Sequence, residues 1–320
     1  MSRSYGVAVI GLGAIGQRML ANMPRQGRLT IVGGWDVLSE ARRAAAAAGT
    51  PVAEEWQALI ADPATDCVYI GTPPASHGAY VRAALAAGKA VFCEKPLGID
   101  LAESRALAAA VASSGVPAAI NLSLAAARPT AMMAEALEDG SLGTVQGLDI
   151  RLRFRAWPRP FQANAGWLGE RAEGGFLREV GTHFLYLAER LFGPARLLSA
   201  DCRFPGGGAA ETHALLRLEC AGVPVTLAGS VGGAGRDLTE CTLWGTARSL
   251  RTTDFYTLSQ AQGDGDFLPM MRDIADPRDD AYQRQLDALV ALLDGQVGVL
   301  PGFDAALSVQ ELVEAALSQS

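Results

Sequence analysis

Histidine is scarce in this chain, with three in 320 residues. Cysteine is nearly as scarce: Cys67, Cys93, Cys202, Cys220 and Cys241 are odd in number, widely spaced, and form no CxxC pair. Neither a disulfide framework nor a zinc site is expected from such spacing, and no metal. A reducing cytoplasm suits thiols of this kind. Long apolar runs are missing too: none reaches the roughly 18 residues that cross a bilayer, so no membrane partner is expected. The stretch MSRSYGVAVIGLG passes from one Arg into a glycine-punctuated strand. It lacks the apolar core and cleavage site expected of a secretory signal. Excess positive charge is absent as well. The net charge is −7, which argues against a general nucleic-acid surface. Apart from the alanines at 44–48 there is no low-complexity tract, and no internal repeat.

What is present is apolar and ordered. Hydrophobic residues make up 49%, enough for a sizeable core, and the length suggests roughly two domains. In the first part, short apolar runs alternate with helical ones. YGVAVI (5–10), LTIVGGWD (29–36), DCVYIGT (66–72), KAVFCEK and VPAAINLS (116–123) read as strands. Between them lie helical stretches that run from GLGAIG (11–16) to about Arg25, over 39–49 with Ser39 as N-cap and Gly49 at its end, around EEWQALIAD, and over 76–88 and 100–115. Strands separated by helices imply a doubly wound parallel sheet covered on both faces. From 144 the pattern changes. TVQGLDIRLRFRAW (144–157) alternates apolar and polar residues, as do 195–204, 211–221, 223–231 and 239–253, with one strong helix near 176–192. That is an α+β pattern with an open, mostly antiparallel or mixed sheet, one face solvated. The expected division is 1–122 for a doubly wound α/β domain and 123–320 for a second, α+β domain.

Gly11, Gly13 and Gly16 form GxGxxG directly after the first strand, with Ala14 and Ile15 in the same turn. The first glycine permits the tight turn, the second lets a pyrophosphate approach the backbone, and the third lets helix and strand pack. The helix N-terminus offers N–H groups and a positive dipole end. Asp36 follows twenty residues past Gly16, at the end of the second strand, where an acid takes ribose hydroxyls. Its carboxylate would repel a 2′-phosphate, so NAD is expected ahead of NADP, although Arg42 and Arg43 lie one turn further on.

The stretch VFCEKPLG (91–98) ends a buried strand on Glu94, Lys95 and Pro96. Ligands of open α/β sheets sit beyond the carboxyl ends of the strands. Lys95 is thus placed where an ammonium can polarise a substrate oxygen as hydride leaves. Pro96 fixes the turn, and Glu94 can hold the lysine or meet the cofactor ribose. A strand-end salt bridge in solvent is the bland alternative.

With these motifs in place, the chain resembles the Gfo/Idh/MocA oxidoreductases, the group of glucose–fructose oxidoreductase and inositol dehydrogenase. The likeness is carried by GLGAIG and GTPPASHGAYVRAALAAGKAVFCEKPLG. It continues through RPTAMMAEALEDGSLGTVQG (128–147) and GGFLREVGTHFLYLAERLFG (174–193). The resemblance implies a Rossmann domain, a second domain whose open sheet mediates homodimers or homotetramers, a nicotinamide cofactor, and sugar, polyol or cyclitol substrates. It places Thr72, Pro73 and His77 on the loop lining the cofactor pocket, and gives Lys95 a substrate contact.

His183 lies on the helix of the second domain, with Glu179 four residues before it. A histidine suits removal of a hydroxyl proton, and an acid on the same face would orient it. A satisfied core histidine is the alternative. The family pattern is usually Asp-x-Gly-x-His, with a second Asp three residues after the His. Here Glu179, Gly181 and His183 are followed by Tyr186, which puts the usual polyol hydrogen-bond set in question. Asn121, at the expected domain junction, is a candidate substrate contact. Trp157, Phe161 and Trp167 read as a loop that either stacks on a sugar or packs on itself. Arg151, Arg153, Arg155 and Arg159 either greet an acidic substrate or form a solvated or subunit-interface face, the latter preferred; His213 reads as structural. The expectation is an NAD(P)-dependent oxidoreductase acting on a secondary alcohol, with Lys95, His183 and Glu179 as its catalytic set. The rivals are an NAD-using glycosidase or lyase on the same scaffold, and a non-catalytic dinucleotide-dependent regulator.

Overall fold

The computed structural model describes residues 3–163 and 165–319. They divide into two compact units. One runs to Leu122 and takes in Tyr282–Leu307; the other holds Ser123–Ala281 and the chain from Ser308 on. The expected second domain ran unbroken to residue 320. Residues 282–307 instead return to the first unit. The reason is apolar: Leu286, Leu289 and Val290 join Val7, Val9, Met19, Tyr69 and Phe92 in one core. Each large apolar side chain buried there contributes roughly 1.5–3 kcal/mol.

The first unit alternates β1 (Tyr5–Ile10), α1 (Ala14–Asn22), β2 (Leu29–Trp35), α2 (Ser39–Ala47), α3 (Trp56–Ala61), β3 (Cys67–Ile70), α4 (His77–Ala86), β4 (Ala90–Cys93), α5 (Leu101–Ser114) and β5 (Ala118–Ile120). The strands form a parallel sheet in the order β2-β1-β3-β4-β5. Every residue of β1, β3 and β4 is buried, which is why these runs are continuously apolar rather than alternating. Strand order reverses at β1/β3, the position where such sheets open a ligand crevice. α5 starts on Asp100, whose side chain accepts the Glu103 N–H at 2.8 Å, and stops at Gly115, φ +68°. α2 departs from expectation. Asp36 closes the preceding turn by accepting the Leu38 N–H at 2.9 Å. Leu38 is then the N-cap and Ser39 the first helical residue. The first helix ends at Asn22, where Pro24 enters a 3-10 turn, Met23–Gln26.

The second unit contains α6 (Arg128–Glu138), β6 (Val145–Phe154), α7 (Thr182–Phe192), β7 (Ala195–Arg203), β8 (His213–Cys220), β9 (Val223–Val231), β10 (Leu238–Gly245), β11 (Arg248–Thr253), β12 (Thr257–Gln262) and β13 (Leu268–Pro269). α8 (Pro277–Leu293) and α9 (Phe303–Ser318) are divided between the units. The eight strands run in the order β13-β12-β11-β10-β6-β9-β8-β7. The β6–β9 pair is parallel and the others are antiparallel. The alternation expected of a half-solvated sheet is present in β8, where His213, Leu215 and Arg217 face out and Ala214, Leu216 and Leu218 face in. α7 packs on β7 and β8 and buries every residue from Thr182 to Ala188.

Two expectations for this unit change. Residues 239–253 are a hairpin, not one strand. The turn N–H groups of Thr246 and Ala247 are taken by the carbonyls of Thr144 and Leu142, at 3.0 and 2.9 Å. The helix near 176–192 is not uniform either, since a π-helical turn, Leu177–Gly181, precedes α7. Gly175 enters it at φ +105°, and the buried Glu211 carboxylate accepts the Leu177 N–H at 2.8 Å. Burial pushes Glu211 above the ordinary carboxyl range, against the backbone N–H groups that favour its charge. α6, β12, β13, α8 and α9 have no counterpart among the sequence expectations.

Candidate active site

The glycine turn is built by exclusion. Gly11 has φ +98°, and a Cβ on it would lie 2.5 Å from the Gly71 carbonyl carbon. A Cβ on Gly16 would lie 1.9 Å from Gly11 O. Both positions are closed by the protein's own backbone. Gly13 is different. It is the N-cap of α1, in extended conformation with φ −68° and ψ −168°, and a Cβ there would meet no atom within 4 Å. Gly13 and Ala14 are exposed, Ile15 is half-buried, and no side chain caps α1. Open space before an uncapped helix head fits the pyrophosphate of a dinucleotide.

Asp36 holds this turn in shape. Its Oδ2 accepts the Leu12 N–H at 2.8 Å, while Oδ1 takes Leu38. Arg42 lies on the Asp36 carbonyl at 2.5 Å, and Arg43 on Ser39 Oγ at 3.2 Å. Val37 and Leu38 beside them are exposed.

The loops after β3 and β4 end at the same sheet edge as this turn. Thr72 Oγ1 accepts from Ser76 Oγ at 2.8 Å, and Pro73 is exposed. His77 is fully buried. Its Nε2 meets Thr72 O and its Nδ1 meets Pro96 O, each at 2.8 Å. The imidazole thus joins the loop after β3 to the loop after β4. Burial pushes His77 below the ordinary imidazole range; the two carbonyls oppose that, and the Lys95 charge adds to it. Lys95 is half-buried just past β4, and its bond to Pro96 is cis.

Glu94 is held from the interior. Its Oε1 accepts from Tyr69 OH at 2.7 Å and from Asn121 Nδ2. Asn121 Oδ1 in turn accepts from Gln285 Nε2. Asn121, a candidate substrate contact in the sequence, therefore sits in a buried polar chain with Glu94. Burial and Glu94 together push the Tyr69 hydroxyl well above its ordinary range.

In the second unit His183 is 8% exposed. Its Nδ1 faces Ser123 Oγ at 3.4 Å, and the Phe255 ring stands edge-on at 5.8 Å. Glu179 comes from the π-helical turn. Its Oε1 accepts from Gln162 Nε2 at 3.0 Å and lies 3.8 Å from Arg159 Nη2. Arg159 is itself bonded to Gln162 Oε1 at 2.9 Å and lies over the rings of Trp157 and Phe161 at 5.4 and 4.7 Å. Arg159 is thus brought to Glu179, apart from Arg151, Arg153 and Arg155, which stand exposed. Trp157 bonds Leu168 O at 2.9 Å and packs the loop. Trp167 is half-buried on a 3-10 turn, Gly166–Gly169. Tyr186 is buried, and burial pushes its hydroxyl up to about 12. His213 is exposed, with Nδ1 3.2 Å from Thr212 Oγ1.

Sequence reasoning missed Tyr69, Ser123, Gln162 and Gln285. Only Gln285 left a signal, as a polar residue inside the apolar stripe Ala281, Leu289. Among the described residues no group of three His, Cys, Asp or Glu is placed to hold a metal ion. Nor is any helix among them long and apolar enough to cross a membrane.

A parallel sheet with order reversal at β1/β3, an open glycine turn and an acid at the end of β2 define a dinucleotide-binding protein of the Rossmann class. Residues 5–122 match the family profile described as an oxidoreductase family with an NAD-binding Rossmann fold. Residues 130–251 match the GFO/IDH/MocA C-terminal domain. The chain belongs to the Gfo/Idh/MocA family. D-apiose dehydrogenase of Paraburkholderia graminis is 31% identical over 165 residues, half of this chain and 42% of that protein. 1,5-Anhydro-D-fructose reductase of Ensifer adhaerens is 32% identical over 127 residues, 39% of this chain and 37% of that protein. The matches thus span under half the length of these two relatives. In fold, the chain is similar to a levoglucosan dehydrogenase solved with NADH and levoglucosan, with TM-score 0.86, 19% identity and coverage of 99% and 97%. It is also similar to a putative myo-inositol dehydrogenase from Sinorhizobium meliloti, with TM-score 0.82, 21% identity and coverage of 99% and 97%.

Proposed function

We propose that this chain is an NAD-dependent oxidoreductase that interconverts a secondary alcohol and a ketone on a sugar, polyol or cyclitol-like compound. The observation that carries the reading is the Glu94-Lys95-Pro96 turn after β4, on the sheet edge where Gly13 leaves α1 open. The names of the relatives, both enzymes of sugar chemistry, support the substrate class.

Gly11, Gly13, Ala14, Ile15 and Gly16 would hold the cofactor pyrophosphate, and Asp36 the adenosine ribose, with Thr72 and Pro73 beside the nicotinamide. A bound nicotinamide supplies the hydride-accepting chemistry. Lys95 donates a hydrogen bond to the reacting oxygen and stabilises its alkoxide character. His183 takes the hydroxyl proton on Nε2, since Nδ1 faces Ser123. Glu179, held by Gln162 and Arg159, orients substrate hydroxyls, with Trp167 as a further substrate contact. His77 acts on the cofactor through the two loops it joins.

NAD is preferred to NADP because the Asp36 carboxylate repels a 2′-phosphate, while Arg42 is turned onto backbone carbonyls. The same reading places the protein in a reducing cytoplasm, in keeping with five buried free thiols. It makes the outer face of the open sheet, where Leu198 and Leu215 are exposed, the surface for homodimers or homotetramers.

The test is nicotinamide absorbance with NAD or NADP across a panel of sugars, cyclitols and sugar acids, with Lys95→Ala alongside. We expect turnover with NAD, and a loss of about 10²–10³-fold in kcat for Lys95→Ala, as when one transition-state donor is removed. Equal turnover in both proteins would sink the role of Lys95. Cofactor binding without turnover, or sugar release from glycosides without net reduction, would favour the regulator or the glycosidase instead.

A further inference from the structure

Gln285 occupies a stripe of α8 that is otherwise apolar. Ala281, Gln285 and Leu289 recur every four residues, with Leu286 and Val290 beside them, and all are buried. Gln285 itself is 2% exposed. A primary amide in such a place is costly unless it is bonded. Its Nε2 donates to Asn121 Oδ1. Asn121, 5% exposed, passes the bond on, with its Nδ2 donating to Glu94 Oε1. Tyr69 OH donates to the same oxygen at 2.7 Å. A continuous chain of bonds thus runs from α8 to the turn that carries Lys95.

The direction of this chain follows from what each group can do. Glu94 Oε1 receives two donors, Tyr69 OH and Asn121 Nδ2, and an accepting oxygen needs the Nδ2 end of the Asn121 amide. That amide is nearly symmetrical in shape, and a half-turn would present Oδ1 to Glu94 instead. Gln285, with its Nε2 end turned to Asn121, opposes the half-turn. Asn121 Nδ2 would then meet the N–H of Gln285 Nε2, donor against donor, while Oδ1 met the carboxylate, acceptor against acceptor. Either mismatch leaves a buried polar group unsatisfied.

We propose that Gln285 is a positioning residue: by donating to Asn121 Oδ1 it fixes the Asn121 amide, and through it the Glu94 carboxylate and the adjoining Lys95. The inference rests on the reading of this turn as the nicotinamide side of the cofactor site. Residue 285 lies outside both regions matched by the family profiles, so no role comes to it from them.

The test uses the full chain and NADH as probe. Affinity is read by calorimetry at a temperature where circular dichroism shows each variant folded, beside its thermal midpoint. Gln285→Met keeps the volume and removes the donor. We expect NADH binding to weaken about tenfold, the scale of one buried group left unsatisfied. Asn121→Leu should weaken it similarly, and the double variant no further than Asn121→Leu alone, because both act through one chain. A merely structural role would lower the thermal midpoint and leave the affinity of the folded protein unchanged; that result overturns the proposal. So does a double variant whose losses simply add. Should Gln285→Met fail to fold, Gln285→Asn withdraws the amide by one methylene and is read in the same way. A wild type without NADH affinity overturns the function reading, and this inference with it. A wild type that binds NADH beside a Gln285→Met that binds equally well overturns this inference alone.

Discussion

Gly13→Ala and Gly16→Ala add the same methyl group to one short loop, and their expected consequences are opposite. At Gly16 the new carbon would lie 1.9 Å from the Gly11 carbonyl oxygen. That oxygen belongs to backbone fixed between β1 and β3, and Gly11 itself has φ +98°. The turn must open for the methyl to fit. Helix propensity returns only about 1 kcal/mol for a Gly→Ala change, less than a forced backbone shift costs. At Gly13 the carbon would touch no protein atom within 4 Å, on backbone any L-residue adopts. Reduced freedom of the unfolded chain stabilises Ala by about 0.4–1 kcal/mol, and the poorer N-cap offsets a similar amount. The thermal midpoint of Gly13→Ala should stay within about 4 °C of wild type. Its NAD affinity should not. A methyl group where the pyrophosphate must approach costs about 1–3 kcal/mol of overpacking, about 5- to 150-fold in Kd. Thermal melts and calorimetric titration with NAD measure the two quantities separately. Wild-type affinity in Gly13→Ala would refute the assignment of this turn to the cofactor. A stability loss in Gly13→Ala as large as in Gly16→Ala would refute the geometric argument itself.

Two further changes act elsewhere in the first unit. Asp36→Ala removes the charge beside the adenosine ribose, and the NADP:NAD ratio of kcat/KM should rise about tenfold or more, the scale of one like-charge contact; an unchanged ratio would move cofactor choice to other residues. Asp294 is held at about 2, below its ordinary 3.8, by two bonds from Arg28 and then one from Tyr5 OH. A carboxyl depressed on folding stabilises the protein above its unfolded pKa, and that contribution fades as pH falls through the folded one. Asp294→Asn should therefore lower the thermal midpoint at neutral pH, and the gap to wild type should close as melts are taken down towards pH 2. A gap that persists there would show that the pair acts through something other than charge.

Much of the fold was legible because its signals are local. β1, β3 and β4 are short, wholly apolar and punctuated by glycine, and α5 carries its own cap in Asp100 and its own stop in Gly115. Other features had no local signal. Ser39 has the right residue type for an N-cap, but Asp36 closed the turn before it. The 239–253 run sets apolar Cys241, Leu243 and Leu250 among polar neighbours, yet carbonyls at 142 and 144 take up a turn in its middle. The π-helical turn under Glu179 depends on Glu211, more than thirty residues away. By spacing alone Glu179 and His183 read as one helical pair. In the structure Glu179 is met by Gln162 and Arg159, from a loop whose sequence announces nothing of the kind.

By itself the sequence determined the order of strands and helices through β5, the glycine turn, the acid after β2 and the basic residue after β4. Each of these rests on neighbours a few residues apart, through hydrogen-bond period, backbone sterics and turn chemistry. Tertiary structure alone decided that residues 282–307 belong with the first sheet, that His77 joins two loops, and that Gln285 reaches Asn121 across 164 positions. Such pairings come from which apolar faces bury together. Burial then obliges any polar group carried inside to find a partner, wherever in the chain that partner lies.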